Sequence, residues 1–149
     1  MAYLGVILFS GSLLFLDQIT KIWAFTYLPF VVDFYVIPGF FSLKLVFNYG
    51  MAWGVLQHYR VFLLSVHALV LLGLIWFWKR FYESYWTRFA LPWLLAGVLG
   101  NGLDRFFRGY VIDFLSFGRF PVFNFADMYL TIAAVFLLIG FFRKDAFFS

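Results

Sequence analysis

The sequence predicts an all-α integral membrane protein with four transmembrane helices and a small β-rich cradle at the membrane interface. Of its 149 residues, 65% are hydrophobic and only 12% are charged, which is far from the composition of soluble domains. Four apolar segments approach the roughly 20 residues that a helix needs to cross a bilayer core about 30 Å thick. Little of the chain is left for a soluble domain, so we expect one membrane-embedded domain over residues 1–149.

The charge balance and the reactive residue types exclude several classes of function. Eleven Lys and Arg residues give a net charge of +4, but they are scattered singly, which favours membrane lipid headgroups over nucleic acid as partners. The absence of Cys excludes disulfides, a thiol nucleophile and thiolate metal sites. Only His58 and His67 supply imidazoles and there is no HExxH motif, so a catalytic zinc site is not expected.

The first helix is predicted over about residues 2–28, where a polar stretch interrupts an apolar run. The run lacks the basic start and the small-residue cleavage site of a signal peptide, so we interpret it as a retained helix. Asp17 and Lys21 are four residues apart, which places them on one side of that helix. The alternatives for them are a structural role, as an ion pair within the membrane or with Lys21 reaching toward the headgroups, and a direct catalytic role.

Residues 29–59 predict strands and turns instead of a helix. The segment contains two prolines and three glycines, and in FFSLKLVFNYGMAW the polar Ser42 and Lys44 alternate with apolar residues. Because an open sheet edge cannot be exposed to hydrocarbon, we expect this segment to lie at the interface or to cover a cavity. A catalytic pair of Ser42 and Lys44 is a weaker hypothesis, since both belong to an ordinary alternating pattern.

Two further apolar runs predict a second helix over about residues 61–78 and a third over about 87–107. Ser65 and His67 are the only polar residues of the second helix, and a lone His there is more often packed than functional. Residues 79–88 are interpreted as a short polar connection. Polar residues recur at helical spacing and form one stripe at the end of the third helix, namely Asn101, Asp104, Arg105 and Arg108.

A turn marked by Gly118 and Pro121 precedes the fourth helix, which is predicted over about residues 125–142. Asn124 is placed to cap the start of this helix. Four spanning helices put both termini on the same side of the membrane. The Lys and Arg residues expected on the two sides are equal in number, so charge alone does not set the orientation.

Four aspartates are the candidates for chemistry, because an uncompensated carboxylate in or near hydrocarbon is costly: Asp17, Asp104, Asp113 and Asp127. Asp17 has Lys21 one turn away and Asp104 has Arg108 one turn away, so both pairs are interpreted as structural. Asp113 and Asp127 have no obvious local partner. They are therefore the two acids for which the sequence favours a function.

The turn between Asp113 and Asp127 can bring their carboxyl groups together. Two adjacent carboxyl groups share a proton, so that one acts as an acid and the other as a base, which is the equipment of an aspartic protease. The alternative is that Asp127 only complements the helix dipole and that Asp113 is a loop residue paired with Arg108 or Arg119. A small proton-coupled transporter or channel is the alternative function, but it predicts repeated halves, which the sequence lacks. A non-enzymatic scaffold would leave the clustered polar residues unexplained.

Four blocks of sequence, read together, carry a family resemblance over essentially the whole chain. They are DQITK at residues 17–21, FNYGMAWG at 47–54, GNGLDR at 100–105 with VIDF at 111–114, and FNFAD at 123–127. In this order and in a chain of this length, they resemble the lipoprotein signal peptidase family, also called signal peptidase II. The resemblance implies an intramembrane aspartyl endopeptidase that removes the signal peptide from diacylglyceryl-modified bacterial prolipoproteins, just before the lipidated cysteine.

The same resemblance assigns roles to individual residues. Asp113 and Asp127 match the catalytic aspartates of the family. Other motif positions are expected to support the site or to bind substrate: Asp17, Lys21, Asn48, Gly54, Asn101, Asp104, Arg105, Asn124 and Ala126. Met51, Trp53 and Met128 depart from the residues usual in the family, and these departures concern the shape of the groove.

The resemblance also implies a location and a set of partners. The protein is expected to cross the bacterial inner membrane several times, with both termini in the cytoplasm and the active site near the outer leaflet. A monomer is expected independently of the resemblance, because nothing in the sequence demands an oligomer. The strand region would form a cradle over the site on the non-cytoplasmic side. No cofactor is implied, and cyclic peptide antibiotics such as globomycin are the expected inhibitors.

Overall fold

The computed structural model describes residues 2–30, 33–50, 59–144 and 147, and it contains five helices and three strands within those ranges. The elements in chain order are α1 Ala2–Tyr27, β1 Phe34–Ile37, β2 Phe41–Asn48, α2 Arg60–Trp76, α3 Trp78–Glu83, α4 Tyr85–Phe107, β3 Val111–Phe117 and α5 Phe125–Phe142. The four long helices begin and end within two residues of the limits predicted from hydropathy.

Two helices of the described chain are long and apolar enough to cross a bilayer, Tyr3–Tyr27 and Phe125–Phe142. The helix Arg60–Trp76 is also apolar but shorter. Large hydrophobic side chains point outward from these helices, including Phe15 and Trp76, which are 69% and 83% exposed. Such extensive apolar exposure is expected of a surface that meets lipid.

The predicted polar connection at residues 79–88 is mostly helical. This stretch contains the short helix α3, and α4 begins at Tyr85, after the extended backbone of Ser84. Phe81 explains the helix, because its ring is buried against Leu74 and Leu91. The apolar contact holds the segment against α2 and α4, whereas the charged residues that suggested a connection lie on the outside.

The three strands form one antiparallel sheet in the order β1, β2, β3. In the pairing of β2 with β3, Val46 lies opposite Asp113 and Asn48 lies opposite Val111. The register shifts between Leu43 and Val46, where β2 contains one residue more than β3. Asn48 and Asp113 are therefore diagonal neighbours on the same face of the sheet. The strand β3 was not predicted from the sequence.

Helix α4 is central, since it packs against α1, α2, α3 and α5. It approaches α5 closely at Gly97, where a Cβ atom would lie 2.7 Å from Leu130 Cγ and 2.8 Å from the Ala126 carbonyl oxygen. The sheet is joined to α1 through an apolar cluster of Ala24, Phe114 and Leu115. The start of α2, the end of α4, the start of α5 and the sheet thereby meet at one end of the bundle.

Candidate active site

Asp113 projects from β3 into the region where the sheet meets the helices, and it is 1% exposed. Its Oδ2 accepts a hydrogen bond of 2.9 Å from Asn48 Nδ2, and its Oδ1 accepts one of 2.6 Å from Asn124 Nδ2. Burial and, to a smaller extent, the negative charge of Asp127 raise the pKa of Asp113 to about 7, against the lowering effect of the two amide hydrogen bonds. A proton therefore remains on this carboxyl group at far higher pH than on an exposed aspartate.

Asp127 lies in the first turn of α5, where it completes a capping box with Asn124. The Asp127 backbone N–H donates to Asn124 Oδ1 over 3.0 Å, and Asp127 Oδ2 accepts from the Asn124 backbone N–H over 3.2 Å. The other oxygen, Oδ1, accepts a 2.8 Å hydrogen bond from Asn101 Nδ2. The Asp127 carboxylate is thus fixed from both α4 and its own helix.

Asn124 connects the two acids as well as capping the helix. It is fully buried, and its Nδ2 group donates to Asp113 while its Oδ1 accepts from Asp127 N–H. The prediction that Asn124 caps the fourth helix is confirmed. The turn at Gly118, which has a positive φ of 54°, returns the chain from β3 toward this cap.

Beneath the two acids lies a buried ion network centred on Lys21. The Lys21 Nζ atom is 2.9 Å from Asp17 Oδ2 and 2.9 Å from Asp104 Oδ2, and all three side chains are completely buried. Lys21 also donates to Asn101 Oδ1 over 3.1 Å. Because the amide oxygen of Asn101 faces this cation, its NH₂ group faces Asp127. The network therefore fixes which side of Asn101 meets the carboxylate.

The outer members of the network join three helices. Asp17 Oδ1 accepts from the Ala126 backbone N–H over 2.9 Å, so a residue of α1 satisfies a free N–H group at the start of α5. Asp104 is also paired with Arg108. The predicted partners of Asp17 and Asp104 are therefore present, and Arg108 is not the partner of Asp113. Lys44 likewise pairs with Asp33, over 3.4 Å.

Arg105 is buried beside these carboxylates, with 8% of its surface exposed. Its Nη2 donates to the Gly50 carbonyl oxygen over 2.7 Å, and its Nη1 is 3.5 Å from His67 Nε2. The Nε–H group has no hydrogen-bond acceptor among the described residues. One donor of this buried cation is thus unsatisfied within the described part of the chain.

A cavity of about 1120 Å³ opens onto both acids. Asp113, Asp127, Asn48, Asn101, Arg105 and His67 form its polar end. The remainder of its wall is mostly apolar and includes Phe62, Val66, Phe120, Val122, Met128 and Ile132. No group of three His, Asp or Glu residues in the described ranges is arranged to hold a metal ion. The cavity combines an acidic, hydrogen-bonding centre with a wide apolar groove.

Two residues of this site were not singled out as site residues from the sequence. Gln18 Nε2 contacts Asp17 Oδ2 at 3.0 Å and the Gly100 carbonyl oxygen at 3.2 Å, and His67 lines the cavity. The only available signal was that each is polar within an apolar helix. The predicted site residue Gly54 and the groove positions Met51 and Trp53 lie outside the described residues.

Comparisons with known proteins agree on one family. A family model described as signal peptidase (SPase) II matches residues 9–143. The lipoprotein signal peptidase of Lactiplantibacillus plantarum is 36% identical, over 91% of this chain and 93% of that protein. That of Synechococcus sp. is 40% identical, over 93% and 95%. A bacterial membrane enzyme solved by the in meso method at 2.3 Å resolution superposes with a TM-score of 0.87 at 32% identity, over 94% of this chain and 88% of that one.

Proposed function

The chain belongs to the signal peptidase II family of membrane proteases, the lipoprotein signal peptidases, and we propose that it cleaves prolipoproteins with Asp113 and Asp127 as an acid–base pair. The observation that carries the proposal is that two carboxyl groups with no ion-pair partner among the described residues converge on one cavity. Asn124 joins them, because its side-chain Nδ2 donates to Asp113 Oδ1 and its backbone N–H donates to Asp127 Oδ2. The other buried acids, Asp17 and Asp104, are neutralised by Lys21. A proton relay through all four acids, as in a transporter, is not favoured by this division.

The chemistry follows from the protonation of the pair. We assign the shared proton of the pair to Asp113, because burial and the negative charge of Asp127 raise the pKa of Asp113 to about 7. The Asp127 carboxylate then takes a proton from a water molecule, and the oxygen of that water attacks the scissile carbonyl carbon. Asp113 donates its proton to the carbonyl oxygen, and no covalent enzyme intermediate is required.

The tetrahedral intermediate collapses as the C–N bond breaks and the leaving nitrogen takes the proton that Asp127 acquired from water. The carbonyl re-forms and returns its proton to Asp113, so both carboxyl groups regain their starting states. Asn48 and Asn124 hold Asp113 in place, and Asn101 holds Asp127.

We propose that the substrate enters from the bilayer, because its diacylglyceryl group keeps it there. The apolar part of the cavity provides room for acyl chains beside the acids. In this arrangement α1, α2, α4 and α5 cross the inner membrane, both termini are cytoplasmic, and the sheet lies at the outer leaflet. The cut falls just before the lipidated cysteine. The proposed arrangement in the membrane is supported by the lengths of α1 and α5 and by the position of the sheet at the cavity end.

The decisive experiment compares three Asp-to-Asn variants in detergent with a lipidated precursor. We expect Asp113→Asn and Asp127→Asn each to abolish cleavage while the protein remains folded. Asp33→Asn is the matched control, because Asp33 pairs with Lys44 on the sheet, outside the cavity. Retained cleavage in either dyad variant would refute the assignment.

We propose two further properties, an oligomeric state argued from the site and an inhibitor implied by the family. The protein acts as a monomer, because the site is assembled from one chain. Globomycin, as a cyclic peptide, would occupy the cavity over the two acids and compete with the precursor. Inhibition that rising precursor concentration does not relieve would contradict this mode of binding.

A further inference from the structure

His67 has a ring whose tautomer is set by its own helix. The Nδ1 atom is 2.7 Å from the carbonyl oxygen of Leu63, one turn earlier in α2. A carbonyl oxygen can only accept a hydrogen bond, so Nδ1 carries the hydrogen. In the neutral ring the lone pair then resides on Nε2, and the ring itself lines the cavity that contains Asp113 and Asp127.

The lone pair of Nε2 faces Arg105. The distance from His67 Nε2 to Arg105 Nη1 is 3.5 Å, and Arg105 Nη2 is fixed at its other side by the Gly50 carbonyl oxygen. None of the ion pairs in the described part of the chain includes Arg105. A guanidinium is charged at every accessible pH. This buried cation is therefore bound by two neutral acceptors, His67 Nε2 and the Gly50 carbonyl oxygen, and not by a carboxylate in direct contact.

Gly102 allows α4 to approach the ring. A Cβ atom at this position would lie 3.3 Å from His67 Cδ2, closer than most such contacts, so any side chain here would press on the ring. Gly102 is one turn before Arg105 in α4, and the Asn101 and Asp104 beside it belong to the network under the acids. The His67 ring is therefore held between the Leu63 carbonyl oxygen on one side and Gly102 of α4 on the other.

We propose that His67 is a positioning residue, whose Nε2 lone pair holds the Arg105 guanidinium beside Asp113 and Asp127. Arg105 of α4 is the charged group beside the ring, and Asp113 of β3 and Asp127 of α5 line the same cavity. Held in this way, Arg105 keeps its positive charge next to the two acids at the polar end of the cavity. The inference rests on the proposed function, because its main measurement is cleavage.

Two substitutions separate the two ring nitrogens. His67→Asn keeps a donor near Nδ1 for the Leu63 carbonyl but has no acceptor that reaches Arg105. His67→Gln is longer and places an amide oxygen near the position of Nε2. We expect kcat/KM for a lipidated precursor to fall about tenfold in His67→Asn and to stay within about threefold in His67→Gln, since hydrogen bonds to charged groups are worth about that much.

The same two substitutions are then made in an Arg105→Lys background. If His67 acts through Arg105, the difference between Asn and Gln falls to less than about twofold there, because the shared interaction has already been lost. If Arg105→Lys cleaves too slowly to measure, the coupling is obtained from the thermal unfolding midpoints of the same variants. Ser65→Ala is the control, since Ser65 is exposed and its hydroxyl donates to the Val61 carbonyl oxygen of the same helix, over 2.9 Å.

Equal activity of the Asn and Gln variants, or an undiminished difference in the Arg105→Lys background, would overturn the inference. Cleavage by the unsubstituted protein distinguishes this failure from failure of the proposed function. If the unsubstituted protein does not cleave the precursor, the proposed function is wrong; if it cleaves and His67 variants behave alike, only the positioning role is wrong.

Discussion

Asn124 donates a 2.6 Å hydrogen bond to Asp113 Oδ1 with the same side chain that caps α5. One residue therefore joins a structural task, the start of a helix, to the arrangement of the two acids. The two tasks use different atoms, Oδ1 for the cap and Nδ2 for Asp113. A residue that has a side-chain oxygen to cap the helix but no NH₂ group to reach Asp113 separates the two tasks.

Asn124→Ser makes this separation. Serine caps helices about as well as asparagine, but its hydroxyl is too short to reach Asp113. We expect the lost hydrogen bonds of the Asn124 side-chain amide to lower the free energy of unfolding by about 1–2 kcal/mol. We also expect kcat/KM to fall about a hundredfold, because Asp113 is displaced. Asn124→Ala also removes the cap and costs about 1 kcal/mol more, without a further loss of activity. Full activity in Asn124→Ser would contradict a role for this amide at the dyad.

The pKa of Asp113 predicts how stability depends on pH. Its value rises from the ordinary 3.8 to about 7 on folding, so folding takes up a proton between those pH values. This contribution is complete below about pH 4 and declines as the pH rises toward 7, by up to about 1.4 kcal/mol per pH unit. We expect the thermal unfolding midpoint of the unsubstituted protein to fall between about pH 4 and pH 7, and that of Asp113→Asn to fall less over the same range. Parallel pH curves for the two proteins would show that Asp113 is not the group involved.

The sequence was sufficient for features that depend on near neighbours in the chain. The limits of the long helices follow from runs of apolar residues, the cap from the position of Asn124, and the pairing of Asp17 with Lys21 from their spacing of four. Each of these needs only the period of one helix or the composition of one run.

The features that were missed depend on elements that meet across the fold. The segment VIDFLSF becomes β3 because it pairs with β2, about 65 residues earlier, through an irregular register. The contact of Asp17 with the Ala126 N–H spans 109 residues, and the contact of Lys21 with Asp104 requires the relative rotation of α1 and α4. His67 belongs to the same class, because its interaction with Arg105 exists only once α2 packs on α4. No local pattern encodes these rotations.

Lys21 is expected to be the most important charge for stability. Lys21→Met keeps most of the length of the side chain but leaves Asp17 buried without its cation, and Asp104 keeps only Arg108 among the described residues. Breaking a buried ion pair in this way typically costs about 3–5 kcal/mol. Lys44→Met is the matched control, because the Lys44 pair with Asp33 is partly exposed and worth less than about 1 kcal/mol. We expect a large fall in the thermal unfolding midpoint for the first variant and a small one for the second. Similar midpoints would mean that the buried network does not stabilise the fold.

Gly100 and Gly11 both lie inside long helices, but they predict opposite outcomes on substitution by Ala. At Gly100 a Cβ atom would lie 2.6 Å from Asp17 Oδ2 and 3.0 Å from Ala126 Cβ, so Gly100→Ala must push the Asp17 carboxylate away from Lys21 and from the start of α5. At Gly11 nothing lies within 4 Å of the added atom, so Gly11→Ala gains about 0.5–1 kcal/mol from the better helix propensity of Ala. Thermal unfolding in one detergent should show a lower midpoint for Gly100→Ala and an equal or higher one for Gly11→Ala.

Because Asp17 is linked through Lys21 and Asn101 to Asp127, Gly100→Ala should also reduce cleavage, whereas Gly11→Ala should not. A Gly100→Ala protein with unaltered stability and cleavage would show that the contact of α1 with α4 is looser than these distances require.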